Sequence, residues 1–378
     1  MKFTVQRETF TRLVSKAQGI VEKKSTLTVL SQVMMETTGT DGVRMVCTDY
    51  DVVLMDQCPA TVEKEGRFVT SGKLLHDVLK NLSGGADVVI ETLDNHKYRL
   101  TCGKFTYDLN STPVDDYPRI EKPEPAQSIA LPVNVFKKLL NKTAFCMSQE
   151  EARMNLNGVF FDFKEVPDGV TLICVATDGH RLAKATATFE GKVVPGDRSG
   201  DTIVHRKGIQ EVRKLLEGES GELTIGFGAG EVMFKVGSSA LYVRLIEERY
   251  PDYESVIPTG FNGKVTAEHQ ELVNGLRAMI AVTDPNILTV RLDIVGKEMM
   301  SMGSANPAHG HGRGEVPVSY DGEPTRIGFN YRYFNEALGV IEANEVVIKL
   351  IEPGAPAVIE PADPTESFTY VIMPVDEV

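Results

Sequence analysis

The sequence is poor in the features that mark secreted and membrane proteins. Its 378 residues include five cysteines, spaced 11 to 44 residues apart, and no two of them form a Cys-x-x-Cys pair. An odd number of scattered cysteines favours reduced thiols over a disulfide framework or a zinc site. No apolar run reaches the roughly 18 to 20 residues of a membrane span, and the opening MKFTVQRETF lacks the pattern of a signal peptide. These absences predict a cytoplasmic protein.

The short motifs of common enzyme classes are also missing. The sequence contains no G-x-S-x-G, no Walker loop and no H-E-x-x-H. GFGAG at 226–230 is interpreted as a hairpin turn, and HGHGRG at 309–314 as a Gly-rich loop insertion, with a pair of metal-binding histidines as the alternative. VATDGHRLA at 175–183 leaves one enzymatic hypothesis open: a hydrolase or metal-dependent enzyme that uses Asp178 and His180.

An internal repeat organises the chain. KFTVQRETFTRLVSKA, SIALPVNVFKKLLNKTAF and KVTAEHQELVNGLRAMIA each predict a short strand followed by an amphipathic helix. SGKLLHDVLKNL, HRKGIQEVRKLL and NYRYFNEALGVI predict a second helix in each repeat, followed by antiparallel strands. Pro- and Gly-containing linkers separate the repeats. We therefore predict an α+β fold of three similar domains, each with two helices on antiparallel sheets, at 1–124, 128–258 and 261–378.

Positive charge is concentrated on the predicted helices. The chain carries a formal net charge of −13, which alone argues against nucleic acid as a partner. The six helix windows nevertheless hold 14 Lys or Arg and only five acidic residues. The windows are 7–18, 72–82, 133–145, 205–216, 269–281 and 330–341. A basic helix face on an acidic protein suits a phosphate backbone, and the lack of an aromatic-rich basic strand favours duplex over single-stranded DNA.

Four motifs carry a resemblance to a known family. MKFTVQRETF, VATDGHRLA, RYPDYESVIP and YVIMPV lie at the start, the middle, the end of the second repeat and the C-terminus. With them the chain resembles, from end to end, the bacterial sliding clamps, the beta subunits of DNA polymerase III. The resemblance implies three DNA-clamp domains that form half of a closed ring, completed head to tail by a second copy and lined by twelve helices. Twelve helices spaced about 8 to 10 Å apart leave a hole about 28 Å across, which passes duplex DNA loosely.

The resemblance also implies function and partners. It implies a non-catalytic processivity factor in DNA replication that needs no cofactor or metal and contacts no membrane. The expected partners are duplex DNA of any sequence, a second copy, the replicative polymerase alpha subunit, the clamp loader, other polymerases, ligase and mismatch-repair proteins. A clamp homologue in a specialised role remains an alternative to the housekeeping clamp.

Three sets of residues follow from the family's motifs. The partner-peptide pocket between the second and third domains is expected to comprise Thr177, Gly179, His180, Arg181, Leu182, Pro251, Val256, Pro356, Val371, Met373, Pro374 and Val375. The DNA-facing set is Lys24, Lys73, Arg153, Arg206 and Lys207. The dimer interface is expected on edge strands that carry Tyr107 and Leu109 on one side and Ala281 and Val282 on the other.

The sequence departs from the family's pattern at three places. Ser255 stands where many relatives have Arg, and the tail Asp376-Glu377-Val378 is acidic where relatives often end basic. These changes bear on peptide preference at the pocket rim. Glu150 stands where a neutral polar residue is usual, which weakens the predicted DNA contact there.

Overall fold

The structure is a computed structural model that describes residues 1–21, 28–82, 85–122, 125, 127–190, 202–284 and 288–375. All six predicted helices are confirmed. The α-helices within the described residues are α1 Arg7–Ser15, α2 Gly72–Asn81, α3 Val133–Thr143, α4 Arg206–Leu215, α5 Tyr253–Val256, α6 His269–Ile280 and α7 Tyr331–Leu338. The short α5 has no counterpart in the sequence prediction, because four residues are too few to give a periodic signal.

The strands form the predicted antiparallel hairpins and meanders. In the first third they are β1 Lys2–Val5, β2 Gln32–Thr38, β3 Gly42–Thr48, β4 Val52–Pro59, β5 Thr61–Lys64, β6 Arg67–Ser71, β7 Val88–Leu93, β8 Lys97–Cys102 and β9 Phe105–Asn110. In the second they are β10 Gln127–Pro132, β11 Gly158–Val166, β12 Gly169–Thr177, β13 Arg181–Phe189, β14 Thr202–His205, β15 Glu222–Phe227, β16 Glu231–Val236 and β17 Ser239–Arg244. In the last they are β18 Gly263–Glu268, β19 Thr289–Ile294, β20 Met299–Asn306, β21 Gly310–Pro317, β22 Ser319–Asp321, β23 Thr325–Asn330, β24 Glu345–Leu350, β25 Ala357–Pro361 and β26 Phe368–Ile372.

The described residues divide into two compact units. One unit contains the described residues of Met1–Asn134 and Lys207–Leu245, and its sheets have the strand orders β5-β1-β7-β8-β9 and β10-β15-β16-β17-β4-β3-β2-β6. The other contains those of Val135–Lys192, Asp197–Arg206 and Ile246–Val378, with the orders β14-β11-β12-β13-β26-β25-β24-β18-β22 and β21-β20-β19-β23. In each unit, the long sheet joins strands from two consecutive repeats.

Apolar spacing explains the cores. In α2, Leu75 and Leu79 are buried while Lys73 and Lys80 are exposed, and the hydroxyl of Ser71 caps the helix by accepting from the backbone N–H of Leu74 at 3.3 Å. In β8, alternate side chains are buried, as expected for a strand with one face on the core. The repeated helix-and-meander pattern therefore follows from local amphipathicity.

The region of β21 and the end of α6 differs from two sequence predictions. HGHGRG is not a loop, because residues 310–314 lie in β21 and pair with β20 along its length. Glycines at alternate positions hid the strand, since they carry no hydrophobic signal, and they are accommodated because α6 packs closely on that face. Ala281 and Val282 do not lie on an edge strand, because they follow the end of α6.

The structure also places GFGAG and His205. GFGAG is a hairpin turn between β15 and β16, closed by the Gly228 N–H, which donates to the Glu231 carbonyl at 3.0 Å. His205 ends β14 and precedes the helix on which it was expected. No helix among the described residues is long and apolar enough to cross a membrane.

The five cysteines generate a test of the core. All are free and buried, and burial raises the pKa of the Cys58 thiol to about 12 and that of the Cys174 thiol well above its ordinary value. Protonated, enclosed thiols are poor nucleophiles. We expect a thiol-specific disulfide reagent at pH 8 to modify the native chain at least about a hundredfold more slowly than the urea-unfolded chain. Rapid modification of one thiol in the native chain would contradict this placement.

Candidate functional site

The VATDGHRLA stretch forms the β12–β13 hairpin, whose turn is fixed by the side chain of Asp178. Its Oδ1 accepts the backbone N–H groups of His180 at 3.0 Å and Arg181 at 3.2 Å. The Thr177 hydroxyl accepts the Gly179 N–H at 3.1 Å and donates to the Arg181 carbonyl. Gly179 has φ +89°, which favours glycine. Asp178 therefore acts as a turn-forming residue whose carboxylate is already occupied.

Arg181 is the hub of a buried polar cluster. Its side chain is 8% exposed, and its Nε donates to Asp178 Oδ2 at 2.9 Å. Nη2 donates to the carbonyl of Phe145 at 2.9 Å, and Nη1 is paired with Glu336 on α7. The guanidinium also lies 4.1 Å from the ring centroid of Tyr333. Arg181 thus braces the turn against α7, and its side chain is not an exposed pocket wall.

Apolar residues on the opposite face of the hairpin form a compact cluster. Leu182 pairs across the strands with Val371, and both are 2% exposed. They pack with Val175, Val358 and Tyr250. Leu182 and Val371, two of the predicted pocket residues, therefore lie within a buried apolar cluster.

The remaining predicted pocket residues lie at different depths. Met373 is 42% exposed and its N–H donates to the His180 carbonyl at 3.0 Å, while Val256 at the end of α5 is 47% exposed. Pro251 is exposed beside α5, and Pro356 is half-buried just before β25. Met373 and Val256 are the exposed apolar side chains through which this region could contact a partner.

The C-terminal segment continues along another sheet. Pro374 forms a bridge with Phe329, and the Val375 N–H donates to the Gly328 carbonyl at 2.9 Å. Pro374 and Val375 line a groove of about 520 Å³ together with Asp293, Pro324, Arg326 and Pro353. The acidic residues 376–378 lie outside the described residues.

The turn at Asp178 has a copy in the first repeat that sequence reasoning missed. Asp49 Oδ1 accepts the N–H groups of Asp51 at 3.1 Å and Val52 at 2.7 Å, and the Thr48 hydroxyl accepts the Tyr50 N–H at 2.9 Å. TDYDV and TDGHR share only the Thr-Asp pair, which is the signal that could have revealed it.

The strands that follow the two turns are paired alike. In one unit β4 pairs with β17, and Val53 lies opposite Tyr242. In the other, β13 pairs with β26, and Leu182 lies opposite Val371. Each pairing joins one repeat to the next.

The predicted DNA-facing residues occupy different environments. Lys73 on α2 is exposed, Arg206 at the start of α4 is partly exposed, and Lys24 lies outside the described residues. Arg153 is exposed, pairs with Glu150 at 3.1 Å and donates from Nη1 to the Asp178 carbonyl at 3.3 Å. Lys207 is ion-paired with the buried carboxylate of Asp49. Lys73 and Arg206 are therefore the members best placed for phosphates.

The predicted interface residues lie on two different kinds of element. Tyr107 and Leu109 are half-buried on β9, an edge strand of its sheet within the described residues. Val282 packs against Gly312 of β21, since a Cβ atom at Gly312 would lie 2.6 Å from the Val282 side chain. Ala281 is exposed beside it.

Comparison with known proteins decides the family. Residues 1–121, 130–252 and 254–376 match the models of the N-terminal, central and C-terminal domains of the DNA polymerase III beta subunit. The chain belongs to the DNA polymerase III beta subunit family, the sliding clamps of DNA replication. The three-domain clamp fold predicted from the sequence is confirmed.

Individual clamps match along their whole lengths. The chain is 30% identical to the beta sliding clamp of Pseudomonas aeruginosa over 376 residues and to that of Caulobacter vibrioides over 378, with 99% of each chain covered. Among solved structures, the sliding clamp of Bartonella birtlesii bound to griselimycin matches with a TM-score of 0.92, 28% identity and full coverage of both chains. The DNA polymerase III beta subunit of Pseudomonas aeruginosa matches with a TM-score of 0.91, 28% identity and full coverage of both chains.

The Arg181 cluster generates a stability prediction for this clamp. Arg181→Met removes the hydrogen bonds to Asp178 and Phe145 and the ion pair to Glu336, so we expect the free energy of unfolding to fall by about 2–4 kcal/mol. Arg291→Met removes one of the two ion pairs of Asp293, which keeps its pair with Arg326, and should cost less than about 1 kcal/mol. Urea unfolding followed by circular dichroism measures both. Equal losses in the two variants would show that the Arg181 cluster contributes no more than a surface pair.

Proposed function

We propose that two copies of this clamp form a ring that encircles duplex DNA and slides along it without sequence preference. In this role the protein is a non-catalytic processivity factor of bacterial replication, which takes place in the cytoplasm. The ring tethers the replicative polymerase alpha subunit, and its other partners are the clamp loader, other polymerases, ligase and mismatch-repair proteins. The partners share a short apolar peptide that docks beside the Asp178 turn.

The repeated strand junction carries the ring proposal. Within the chain, two junctions of the same geometry link consecutive repeats, β4 to β17 and β13 to β26. The first and third repeats each keep an edge strand, β9 and β21, within the described residues. An open edge favours addition of a further strand. A third junction of the same kind, made between copies, supplies that strand, and two such junctions close a ring.

Charge supports DNA as the ligand of the helix faces. Basic residues outnumber acidic ones on the six helices of an otherwise acidic chain. Exposed Lys73 and partly exposed Arg206 suit loose phosphate contacts, which position a protein on DNA without reading its sequence. Loose contacts permit sliding, because no base-specific contact has to be broken at each step.

The enzymatic alternative has weaker support. A general base needs a carboxylate or imidazole directed at substrate, but both oxygens of Asp178 accept hydrogen bonds from the turn and from Arg181. Among the described residues no group of three or more His, Cys, Asp or Glu is arranged to hold a metal ion. The geometry of Asp178 favours a structural role in forming the turn.

The pocket proposal rests on an apolar floor with an exposed rim. Leu182 and Val371 form the floor, and Met373 and Val256 stand exposed beside it. Burying one or two partner side chains there at about 1.5–3 kcal/mol each, offset by ordering costs, gives affinities near the micromolar scale. Ser255 is exposed next to Val256, so the rim offers a small hydroxyl where many relatives offer a cation.

Topological retention tests the ring. Once loaded by a clamp loader onto nicked circular plasmid, the protein should co-elute with DNA in gel filtration at about 0.2 M salt, where direct phosphate contacts are weak. Linearising the plasmid should release it, and proteins bound at both ends should restore retention. Equal retention on open linear and circular DNA, or tight sequence-specific binding to a short duplex, would contradict the proposal.

Truncation of Met373 tests the pocket. Met373→Ala should weaken a polymerase-derived apolar peptide about fivefold, because roughly 1 kcal/mol of burial is lost. Met299→Ala is the matched control, since Met299 is 41% exposed, close to the 42% of Met373, and lies on β20. Fluorescence anisotropy of a labelled peptide measures the affinities. Unchanged affinity in Met373→Ala would refute the pocket, whereas turnover of a substrate that His180→Ala abolishes would favour the enzyme.

A further inference from the structure

A third turn of the Asp178 kind lies in the β20–β21 hairpin. Asn306 Oδ1 accepts the N–H of Ala308 at 2.8 Å, as Asp49 and Asp178 accept the N–H two residues further on. Asn306 ends β20 just as Asp49 and Asp178 directly follow β3 and β12. The β20–β21 hairpin is therefore the third-repeat equivalent of β3–β4 and β12–β13, with a loop one residue longer.

Cross-strand pairing fixes the correspondence residue by residue. In each hairpin, one residue directly precedes the turn-forming Asp or Asn and has a cross-strand partner. That partner is Val53 in the first hairpin, Leu182 in the second and His311 in the third. Burial alternates along β21, with Gly312 and Gly314 facing α6, so His311 faces the other side of the sheet. His311 is thus the equivalent of Val53 and Leu182.

The edge strand β9 can be aligned with β17, the strand that completes the first in-chain junction. β17 follows a two-residue turn in which Val236 pairs with Ser239, and β9 follows a turn in which Cys102 pairs with Phe105. Counting three residues on from Ser239 and Phe105 gives Tyr242 and Asp108. Tyr242 lies opposite Val53 in the first junction. By the same alignment, the third junction places Asp108 opposite His311, the equivalent of Val53.

We infer that β21 of one copy pairs antiparallel with β9 of a second copy, with His311 opposite Asp108, and that this pair makes ring closure sensitive to pH. The inference rests on the proposed homodimeric ring and adds its register and its proton dependence. Neither residue belongs to the interface set predicted from the sequence.

Side-chain size supports this register. It places Gly310, Gly312 and Gly314 opposite Leu109, Tyr107 and Phe105, so each glycine faces a large apolar side chain. Phe105 is 51% exposed on the edge of its sheet, so a strand added there would cover apolar surface. Met279 of α6 and Val282, which follows the helix, lie beneath Gly312 and offer apolar surface to the incoming side chains. A shift by one residue would instead oppose the apolar side chains with His311 and Arg313.

The charges around the pair set the sign and size of the effect. Hydrogen bonds from Arg99 hold the pKa of the Asp108 carboxyl below its usual range, so Asp108 is a carboxylate where histidine changes charge. Histidine ordinarily changes charge between pH 5 and 8, and only the imidazolium is attracted to the carboxylate. Association then takes up protons, so the dimer is favoured at low pH and weakened as the pH rises.

Neighbouring cations oppose the imidazolium and keep the effect small. They are Arg313 and His309 beside His311, Arg291 on β19, and Arg99 and Lys97 beside Asp108 of the second copy. An exposed pair contributes about 0.2–1 kcal/mol, a factor of about 1.4 to 5 for each junction. Two junctions give a change of about 2- to 25-fold in the dimer dissociation constant.

Disulfide trapping tests the register. The double variant His311→Cys with Asp108→Cys should form a covalent head-to-tail dimer under mild oxidation, because opposite residues of antiparallel strands lie within disulfide reach. Arg313→Cys with Asp108→Cys, displaced by two residues, should cross-link much less. The five native thiols are buried and give little background. Equal or better trapping of the displaced pair would overturn the inferred register.

Sedimentation equilibrium from pH 5.5 to 8.5 at constant ionic strength tests the proton dependence. The wild-type dimer should tighten several-fold toward low pH, and both His311→Gln and Asp108→Asn should flatten that dependence, whereas His309→Gln should keep it. A wild-type pH dependence that persists in His311→Gln, or that is absent from the wild type, would refute the His311–Asp108 pair while the dimer stands. A wild-type chain that stays monomeric at micromolar concentration would instead refute the proposed ring.

Discussion

Pairing of strands between consecutive repeats is the interaction on which the rest of the structure depends. β4 with β17 and β13 with β26 turn separate sheets into an eight-stranded and a nine-stranded sheet. Each repeat thereby covers an edge that would otherwise expose unpaired backbone N–H and carbonyl groups. Because these junctions are continuous sheet, the chain divides into two compact units that cut across the three matched domain models.

A short polar turn sets the register of the hairpin that leads into each junction. A single carboxylate, Asp49 or Asp178, accepts two backbone N–H groups and so fixes where the following strand begins. Since a slip of one residue would expose every apolar side chain of that strand, the turn determines which face is buried. At the second junction the buried Arg181 adds an ion pair to Glu336 on α7, which links the turn to the helix.

The sequence predicted what depends on local periodicity and missed what depends on long-range pairing. All six helices and the β7–β9 meander follow from apolar spacing, which each segment carries within itself. The sequence did not predict the strand at Gly310–Pro317, because several of its inward residues are glycines and give no hydrophobic signal. These glycines fit there because α6 packs closely on that face. The burial of Arg181 could have been suspected, since it shares a strand face with Ala183 and Ala185, but its partners Phe145 and Glu336 are 36 and 155 residues away.

Side-chain size distinguishes the two in-chain junctions more than backbone geometry does. Where the second junction has Gly179 and Val371, the first has Tyr50 and Tyr242 in equivalent positions. Tyr50 holds φ +76°, a conformation that costs a non-glycine residue about 1 kcal/mol or more, yet its turn keeps the same hydrogen bonds. Tyr242 is 6% exposed and Val371 is 2% exposed, so both side chains are buried at their junctions. The same junction backbone therefore accepts side chains of very different size, because strand pairing fixes the register while the packing around each junction fills the remaining space.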